Sequence, residues 1–283
     1  MLDRSHMETV VRAALLEDAP TGDITSNLVI PAEAHAVAQL VARESGVFAG
    51  AEVFAAAFTL TDPSVSVEVV KHDGDRFAAG DVLARVTGPA RAVLTGERIG
   101  LNFAQRMSGI ATLTAAYVDA VGGTDAVILD TRKTTPTLRA FERHAVVCGG
   151  GHNHRLNLSV AFMAKDNHLA VLTAGGLDIT RALQQVKAQL PDGMMFEVEV
   201  DRLDQIEPVL AGGVTVIMLD NFSIADLRTG VAQVAGRAKV EASGGVNLDT
   251  VRAIAETGVD FISVGALTHS ARALDLGLDI EIS

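Results

Sequence analysis

The chain has 283 residues, 48% of them hydrophobic, with 35 acidic and 23 basic residues and a formal net charge of −12. This composition predicts a folded protein with a substantial core, and the acidic balance argues against nucleic-acid binding. The single cysteine, Cys148, excludes an intrachain disulfide. The sequence has no long uncharged apolar run and does not start like a signal peptide, which is typical of a cytoplasmic protein without a membrane span.

The first hundred residues mix helical and strand patterns. Residues 7–18 and 51–60 have the apolar spacing of helices, whereas 36–46 reads as a strand that leads into a turn. Residues 64–88 alternate apolar and polar side chains and are interrupted by Gly-Asp turns, a pattern of short paired strands. This part is therefore predicted to be a small α+β layer.

After a helical segment at 94–123, short apolar runs alternate with helical segments. The runs are 126–131, 159–166, 195–201, 214–220, 239–245 and 260–266. Strands that alternate with helices of this length pair in parallel, and nearly continuous apolar character indicates that both faces of the sheet are covered. The pattern predicts an α/β fold of barrel type.

Each apolar run ends in residues that can carry chemistry. The residues at these ends are Asp130, Arg132, Lys133, Lys165, Glu199, Asp220, Ser243 with Gly244 and Gly245, and Gly265. The carboxyl ends of barrel strands meet at one rim, where active sites are built. Any strand must end in polar turn residues, but six successive ends of this kind favour a functional site.

The stretch 130–168 reverses the charge balance of the chain. It holds six cationic residues, Arg132, Lys133, Arg139, Arg143, Arg155 and Lys165. Thr135 is predicted to cap a helix that ends at Gly149, and the following glycines bring His154 and Arg155 onto a tight loop. A cationic pocket in an acidic protein predicts a small, highly charged anion as the ligand.

Glycines also follow two later strands, at 244–245 and at 265. Backbone N–H groups ahead of a helix at these places suit a phosphate group. Carboxylates at the same rim, from Glu199 and Asp220, suit sugar hydroxyls or a magnesium ion. The rim thus offers groups for an acid, a sugar and a phosphate.

The motifs resemble those of the quinolinate phosphoribosyltransferase family. They are DTRKTTPTLRAFERHAVVCGGGHNHRLNLSVAFMAKDNH (130–168), FEVEVD (196–201), IMLDNF (217–222), EASGGV (241–246) and DFISVGALTHSARALDLGL (260–278). The resemblance continues upstream through EDAPTGDITS and VLTGERIGLNFAQRMSGIAT, so it covers nearly the whole chain. It implies an N-terminal α/β sandwich of residues 1–105, joined by the tail 270–283, and a TIM-like open α/β barrel of six or seven parallel strands at 106–269.

The resemblance also implies a reaction and a homodimer. Quinolinate and phosphoribosyl pyrophosphate would give nicotinate mononucleotide, pyrophosphate and CO2, with Mg²⁺, in NAD biosynthesis. Quinolinate would be surrounded by Arg132, His154, Arg155 and Lys165, with Arg98 reaching in from the partner chain. Substrate binding on the sugar-phosphate side would fall to Thr131, Lys133, Glu199, Asp220, Ser243, Gly244, Gly245, Val264, Gly265 and Ala266. The catalytic residues would be Lys133, Lys165, Glu199 and Asp220, the last two as candidate magnesium ligands.

Residue chemistry independently fits this reaction. Quinolinate carries two adjacent carboxylates, so binding it removes two negative charges from water and requires several cations. Its ring nitrogen becomes a pyridinium on attacking the sugar, and the pyridinium accepts the electrons that the departing carboxylate leaves behind. No covalent nucleophile is needed.

The chain departs from the family pattern at Thr135, Thr137 and Asn157. Thr137 and Asn157 stand where the family has glycine, and the loss of these glycines stiffens the loop and the turn after Arg155.

Other functions remain open from the residues. A zinc hydrolase would use Cys148, His152, His154, His168 and Asp220, although the nearby arginines oppose a bound cation. A Schiff-base lyase of barrel type would use Lys165 or Lys133 as its nucleophile. A paralogue acting on another aromatic acid would need fewer cations, and an anion-binding protein would bind without turnover.

Overall fold

A computed structural model describes residues 2–283, which form two compact units. The first unit runs to Ala115 and also contains Thr135–Gly150 and Ser270–Ser283. The second unit contains Ala116–Thr134 and Gly151–His269. The boundary expected near residue 105 falls inside one continuous helix, which explains why the first unit extends ten residues further.

The first unit is built on an antiparallel sheet. Its strands and those of a small separate pair are β1 (His35–Ala42), β2 (Gly46–Val47), β3 (Ser66–Val69), β4 (Arg76–Phe77), β5 (Val82–Pro89) and β12 (Leu276–Ile282). The main sheet has the order β12-β1-β5-β3, and β2 pairs with β4. Buried and exposed residues alternate along β1, so one face of the sheet is covered and the other meets water.

Five helices belong wholly or partly to the first unit. They are α1 (Arg4–Asp18), α2 (Ile24–Val29), α3 (Ala51–Thr59), α4 (Ala90–Ala120) and α5 (Arg139–Cys148). Phe54 and Phe58 of α3 are fully buried and meet edge to face, with ring centroids 4.9 Å apart. The sequence analysis did not predict α2 or β12. The six residues of α2 are too few for a helical period, but Leu276, Leu278, Ile280 and Ile282 alternate along β12 as in a strand, so this signal was missed.

The second unit is a six-stranded parallel sheet. Its strands are β6 (Val127–Leu129), β7 (Phe162–Ala164), β8 (Phe196–Val200), β9 (Val216–Asp220), β10 (Lys239–Ser243) and β11 (Phe261–Ser263). They lie in the order β6-β11-β10-β9-β8-β7, so the two strands that follow one another in the chain, β6 and β7, form opposite edges. All six predicted strands and their parallel pairing are confirmed, as is the open α/β barrel fold.

The helix α5 follows β6, and further helical segments follow each parallel strand from β7 onward. They are α6 (Asp166–Thr173), α7 (Ile179–Lys187), α8 (Ile206–Ala211), α9 (Ile224–Val234), α10 (Val251–Ala255) and α11 (Ala266–His269), with a 3₁₀ turn at Leu203–Gln205. At the β6 edge, the backbone of His152 forms an isolated parallel bridge with Leu129. This bridge adds a single pairing beyond the six strands, where a seventh strand would lie.

The start of α5 differs from the expected one. Thr135 does not cap the helix, which begins at Arg139; its N–H and hydroxyl donate instead to the buried carboxylate of Glu142, at 3.1 and 2.8 Å. The intervening Thr137 has a φ of 68°, a left-handed conformation that costs a branched residue about 1–2 kcal/mol. The predicted end of the helix at Gly149 is confirmed.

Across residues 2–283, every helix falls short of the length or the apolar character that crossing a bilayer requires.

We expect the Cys148 thiol to react slowly in the folded protein. Burial, together with the nearby charge of Asp73, raises the pKa of this thiol to about 12, so that the thiolate is rare at pH 8. Alkylation by iodoacetamide, followed by mass spectrometry, should be roughly a thousandfold slower than for the urea-unfolded chain. Equal rates in the folded and unfolded chains would contradict this expectation.

Candidate active site

A pocket of about 480 Å³ opens at the carboxyl ends of the parallel strands of the second unit. It is lined by Asp130, Thr131, Arg132, Lys133, His154, Arg155, Met163, Lys165, Glu199, Met218, Asp220, Asn221, Ser243, Gly244, Gly245 and Ser263. Every strand of the sheet contributes to this lining, either directly or through the residues that follow it. The rim predicted from the sequence is therefore a real concave site.

The predicted site residues from Thr131 to Gly245 come together in this pocket. Arg98 belongs to the first unit, where it is an exposed residue of α4. Arg139 and Arg143, which the charge count grouped with the other cations, also belong to the first unit. Val264 directs its backbone N–H to the Leu129 carbonyl, 3.0 Å away, so this amide is used within the sheet.

One side of the pocket is cationic. Arg132 and Lys133 follow β6 and are exposed, while Arg155 is half-buried. Burial lowers the pKa of Arg155, and the positive charge of Arg132 lowers it further. Two guanidinium groups placed within electrostatic reach of each other are a costly arrangement, which an anion bound between them would relieve.

Lys165 lies between the cationic and anionic sides. It forms an ion pair with Glu199 at the end of the neighbouring strand β8. It also occupies the N-cap position of α6, where its backbone N–H donates to Nδ1 of His168 at 3.1 Å. The start of α6 thus fixes the backbone of Lys165, and Glu199 orients its ammonium group. A Schiff-base nucleophile needs an uncharged amine, so this pairing does not favour a lyase.

The anionic side consists of Glu199 and Asp220, which end the adjacent strands β8 and β9. Asp220 pairs in register with Ser243 of β10, and its Oδ2 accepts a hydrogen bond from Asn221 Nδ2 at 2.7 Å. Both carboxylates are half-buried and line the pocket, so they keep access to a ligand. Hard carboxylate oxygens beside open space suit Mg²⁺, which binds few protein ligands and keeps water or phosphate around it.

The third side is a glycine turn. Gly244 and Gly245 follow β10 with φ angles of 91° and 62°, both in the left-handed region that favours glycine. A Cβ on Gly244 would lie 2.2 Å from Oδ1 of Asn221, so the turn approaches that side chain as closely as glycine allows. Gly265, after β11, lies close to the Lys133 side chain, since a Cβ there would be 3.0 Å from Lys133 Cδ.

We expect Gly244→Ala to impair the phosphate side of the pocket. The added Cβ collides with Asn221 and the residue must keep a positive φ, which together cost about 1–3 kcal/mol. Thermal unfolding should show the lost stability, and binding of inorganic pyrophosphate should weaken. Gly236→Ala is the control: this glycine also has a positive φ, but a Cβ there meets nothing within 4 Å. Equal effects of the two variants would contradict the role of the close approach.

Beneath the pocket lies a buried cluster of His154, Glu197 and Glu241. Nε2 of His154 is 3.1 Å from Glu197 Oε2 and 3.4 Å from Glu241 Oε2. Within residues 2–283, neither Glu197 oxygen has a hydrogen bond of good geometry, although Oε2 lies 3.1 Å from His154. Glu241 accepts a hydrogen bond from the Ser263 hydroxyl. Burial raises the pKa of Glu197 and disfavours a charged His154, while the two carboxylates that face Nε2 of His154 favour a proton on that nitrogen. The cluster therefore retains protons at neutral pH.

The sequence did not reveal Glu197 and Glu241 as site residues. Both lie inside apolar strands, one in FEVEV and the other in KVEAS. Their charged type within strands covered on both faces was the available signal, because carboxylates are almost never fully buried without a partner. Asn221 was also missed, although it directly follows Asp220.

The zinc site considered from the sequence is not formed. In the part of the chain from residue 2 onward, potential metal ligands gather in two other sets, namely Asp73 with His144 and Cys148, and the buried cluster. His168 instead accepts the Lys165 N–H, and the backbone of His152 pairs with β6. The geometry supports a different chemistry: cations for an organic dianion, carboxylates for a polyol or Mg²⁺, and a glycine turn for phosphate.

Comparison with known proteins agrees with this geometry. The family models described as quinolinate phosphoribosyl transferase, N-terminal domain and C-terminal domain, match residues 23–108 and 110–279. A probable nicotinate-nucleotide pyrophosphorylase [carboxylating] of Bacillus subtilis is 39% identical, covering 100% of this chain and 96% of that protein. A Mycobacterium leprae nicotinate-nucleotide pyrophosphorylase [carboxylating] is 43% identical over 95% of both. The crystal structure of NadC from Streptococcus pyogenes superposes with a TM-score of 0.94 at 41% identity, covering 100% of this chain and 98% of that one.

Proposed function

The chain belongs to the quinolinate phosphoribosyltransferase family and carries out its reaction, and we propose that the rim pocket is where quinolinate meets phosphoribosyl pyrophosphate. The observation that carries this proposal is the convergence of two guanidinium groups and an ammonium group on one hollow. The same hollow contains two carboxylates and a glycine turn. The cytoplasmic location expected from the single cysteine is part of the proposal.

The cationic side binds the aromatic dianion. Arg132 and Arg155 present planar guanidinium groups that match carboxylates, and Lys165 adds a point charge. An aromatic acid with one carboxylate would leave part of this positive charge unpaired, at a cost in affinity. The three cations therefore favour quinolinate over an acid such as nicotinate.

Phosphoribosyl transfer requires positioning and electrostatic stabilisation. The pyridine nitrogen forms a bond to the anomeric carbon of the sugar while the bond from that carbon to the pyrophosphate oxygen breaks. Glu199 and Asp220 stabilise the positive charge that develops on the ribosyl group and hold its hydroxyls. Lys133, with the amides near Gly244 and Gly245, stabilises the departing pyrophosphate.

Decarboxylation follows on the pyridinium ring. The bond between C2 and its carboxylate breaks, CO2 leaves, and the electron pair remains at C2 until a proton is taken up. The positive ring nitrogen stabilises that electron pair, so the chain supplies orientation rather than a covalent nucleophile.

Magnesium accompanies the pyrophosphate substrate in this proposal. Glu199 and Asp220 fit the ion because they offer adjacent oxygen ligands at the pocket wall, with room for water and phosphate oxygens. When bound, Mg²⁺ would neutralise part of the negative charge of the pyrophosphate.

A product assay tests the proposed function. Purified protein is mixed with quinolinate, phosphoribosyl pyrophosphate and Mg²⁺, and the nucleotide product is followed by chromatography and mass spectrometry. We expect nicotinate mononucleotide and CO2 in equal amounts, with turnover lost on adding EDTA. Absence of product would refute the substrate assignment, and equal turnover of nicotinate would assign the chain to a different aromatic acid.

We also propose a homodimer in which Arg98 of one chain completes the pocket of the other. Arg98 is exposed on α4, as a residue that serves a partner chain must be. At a quinolinate concentration below the wild-type KM, we expect Arg98→Ala and Arg155→Ala each to be nearly inactive alone. Mixing and re-assembling them should restore about a quarter of wild-type activity, because half of the random dimers carry one intact site. No recovery on mixing would show that Arg98 acts within its own chain.

A further inference from the structure

His154 has both ring nitrogens committed to protein atoms. Nδ1 accepts a hydrogen bond from the backbone N–H of Arg155 at 2.7 Å, and Nε2 faces Glu197 and Glu241. A nitrogen that accepts an N–H carries no proton, so the protons of the cluster lie between Nε2 and the two carboxyl groups. Neither nitrogen is left to donate to a ligand in the pocket.

The loop that carries His154 is fastened to four strands. The backbone N–H of His154 donates to Asp130 Oδ1 at 2.8 Å, and the fully buried Asp130 directly follows β6. Its ring contacts Glu197 of β8 and Glu241 of β10, and Glu241 also accepts the hydroxyl of Ser263 in β11. Such a set of contacts fixes the position of one short loop on the rigid sheet.

The residue that benefits is Arg155, which directly follows His154. Arg132 repels its guanidinium, so a free loop would let the two cations separate whenever no anion lies between them. One interaction opposes this separation: Nδ1 of His154 holds the backbone N–H of Arg155 in place. Preorganised cations bind an anion more tightly, because no ordering cost remains to be met on binding.

We propose that Glu197, His154 and Glu241 form a buried clamp that positions Arg155 for the dicarboxylate, and that His154 is a positioning residue rather than a direct ligand of quinolinate. This inference rests on the proposed function, since it assigns the clamp to the quinolinate side of the same pocket. Burying these ionisable groups costs several kcal/mol, and removing one partner entirely would leave the others uncompensated. Amide replacements are therefore the appropriate probes, because they keep the shape of the side chain.

The test measures both Michaelis constants for Glu197→Gln and Glu241→Gln. We expect KM for quinolinate to rise about tenfold or more, as for a binding group displaced by a fraction of an ångström, and KM for phosphoribosyl pyrophosphate to stay within about twofold. Glu207→Gln is the matched control, because this exposed carboxylate of the same unit pairs with Arg237 and should leave both constants unchanged. Unchanged constants in the two clamp variants, or equal rises in both, would overturn the proposal.

Two further measurements cover variants that fail to fold. In wild-type protein with ¹⁵N-labelled histidine, assigned by comparison with His154→Asn, the Nδ1 resonance of His154 should be that of an unprotonated nitrogen with and without quinolinate. A proton on Nδ1 would exclude the hydrogen bond from Arg155 that the clamp requires, and a shift of that resonance on adding quinolinate would show a direct bond to the ligand; either result would refute the clamp. Stoichiometric zinc in the wild-type protein, held by these three side chains, would refute it as well. A wild-type enzyme that makes no nicotinate mononucleotide refutes the proposed function itself, whereas an active enzyme with unaffected variants refutes only the clamp.

Discussion

Arg155→Ala should raise KM for quinolinate roughly 100-fold while leaving KM for phosphoribosyl pyrophosphate nearly unchanged. The truncation removes a charge-assisted hydrogen-bond donor from a carboxylate already taken out of water, a loss of about 3 kcal/mol. The residual charge of Arg132 and Lys165 still attracts the anion, so binding should be weakened rather than abolished. Steady-state kinetics with each substrate varied in turn, and calorimetry of quinolinate binding, provide the measurement.

Arg228→Ala is the control for that variant. Arg228 is exposed on α9 and lies outside the pocket lining, so its removal should change neither constant. A comparable loss of affinity for both substrates in Arg155→Ala would contradict the separation of the pocket into a quinolinate side and a sugar-phosphate side.

Glu199→Gln should lower kcat/KM for phosphoribosyl pyrophosphate about 100-fold, the usual effect of removing one preorganised electrostatic contact to a charge that develops in the transition state. The amide keeps the shape of the side chain but removes the negative charge that faces the ribosyl cation. It also ends the ion pair with Lys165, which frees that ammonium for the anion. Quinolinate binding, measured by calorimetry, should therefore hold or tighten even as turnover falls.

The control here is Glu256→Gln. This exposed carboxylate belongs to the same unit and forms an ion pair with Arg252, away from the pocket lining. It should leave kcat/KM unchanged. A Glu199→Gln enzyme with full turnover would exclude Glu199 from the chemistry, and one that loses affinity for quinolinate alone would move it to the other side of the pocket.

The parallel sheet and its rim were readable from the sequence because two periodic signals coincide there. Each of the six strands is short and mostly apolar, and each ends in or is followed by residues that a strand end does not require, such as Asp220 and Lys165. The periodicity locates the strands, and the topology of parallel strands then gathers their ends. Most of the polar pocket lining follows from those two facts, although Asn221 and Ser263 were not predicted.

The buried carboxylates could not be placed in the same way. Glu197 sits between apolar neighbours in β8, and a pattern of alternating residues cannot tell whether such a side chain faces water, a helix or the strand interior. Only the arrangement of β8 and β10 around His154 shows that Glu197 and Glu241 share one imidazole. Long-range pairing of this kind leaves no local signature.

The start of α5 shows a second limit. Thr135 followed by a proline has the composition of a helix cap, yet the carboxylate of Glu142, seven residues on, binds its N–H and hydroxyl and delays the helix to Arg139. A local preference was thus overridden by a contact with a buried charge. Thr137, which lies between Thr135 and Glu142, has a left-handed backbone conformation that is strained for a branched residue.

The position of β12 has a consequence for biosynthesis. This last strand pairs with β1 over seven residues, from Ala36 with Ile282 to Ala42 with Leu276. While the chain emerges from the ribosome, β1 can pair with β5 early, but the other edge of β1 has no partner until β12 has been synthesised. A nascent or truncated chain therefore exposes an open strand edge to its neighbours, and an exposed edge of this kind invites association between chains. The first unit can therefore complete its sheet only after β12 has been synthesised.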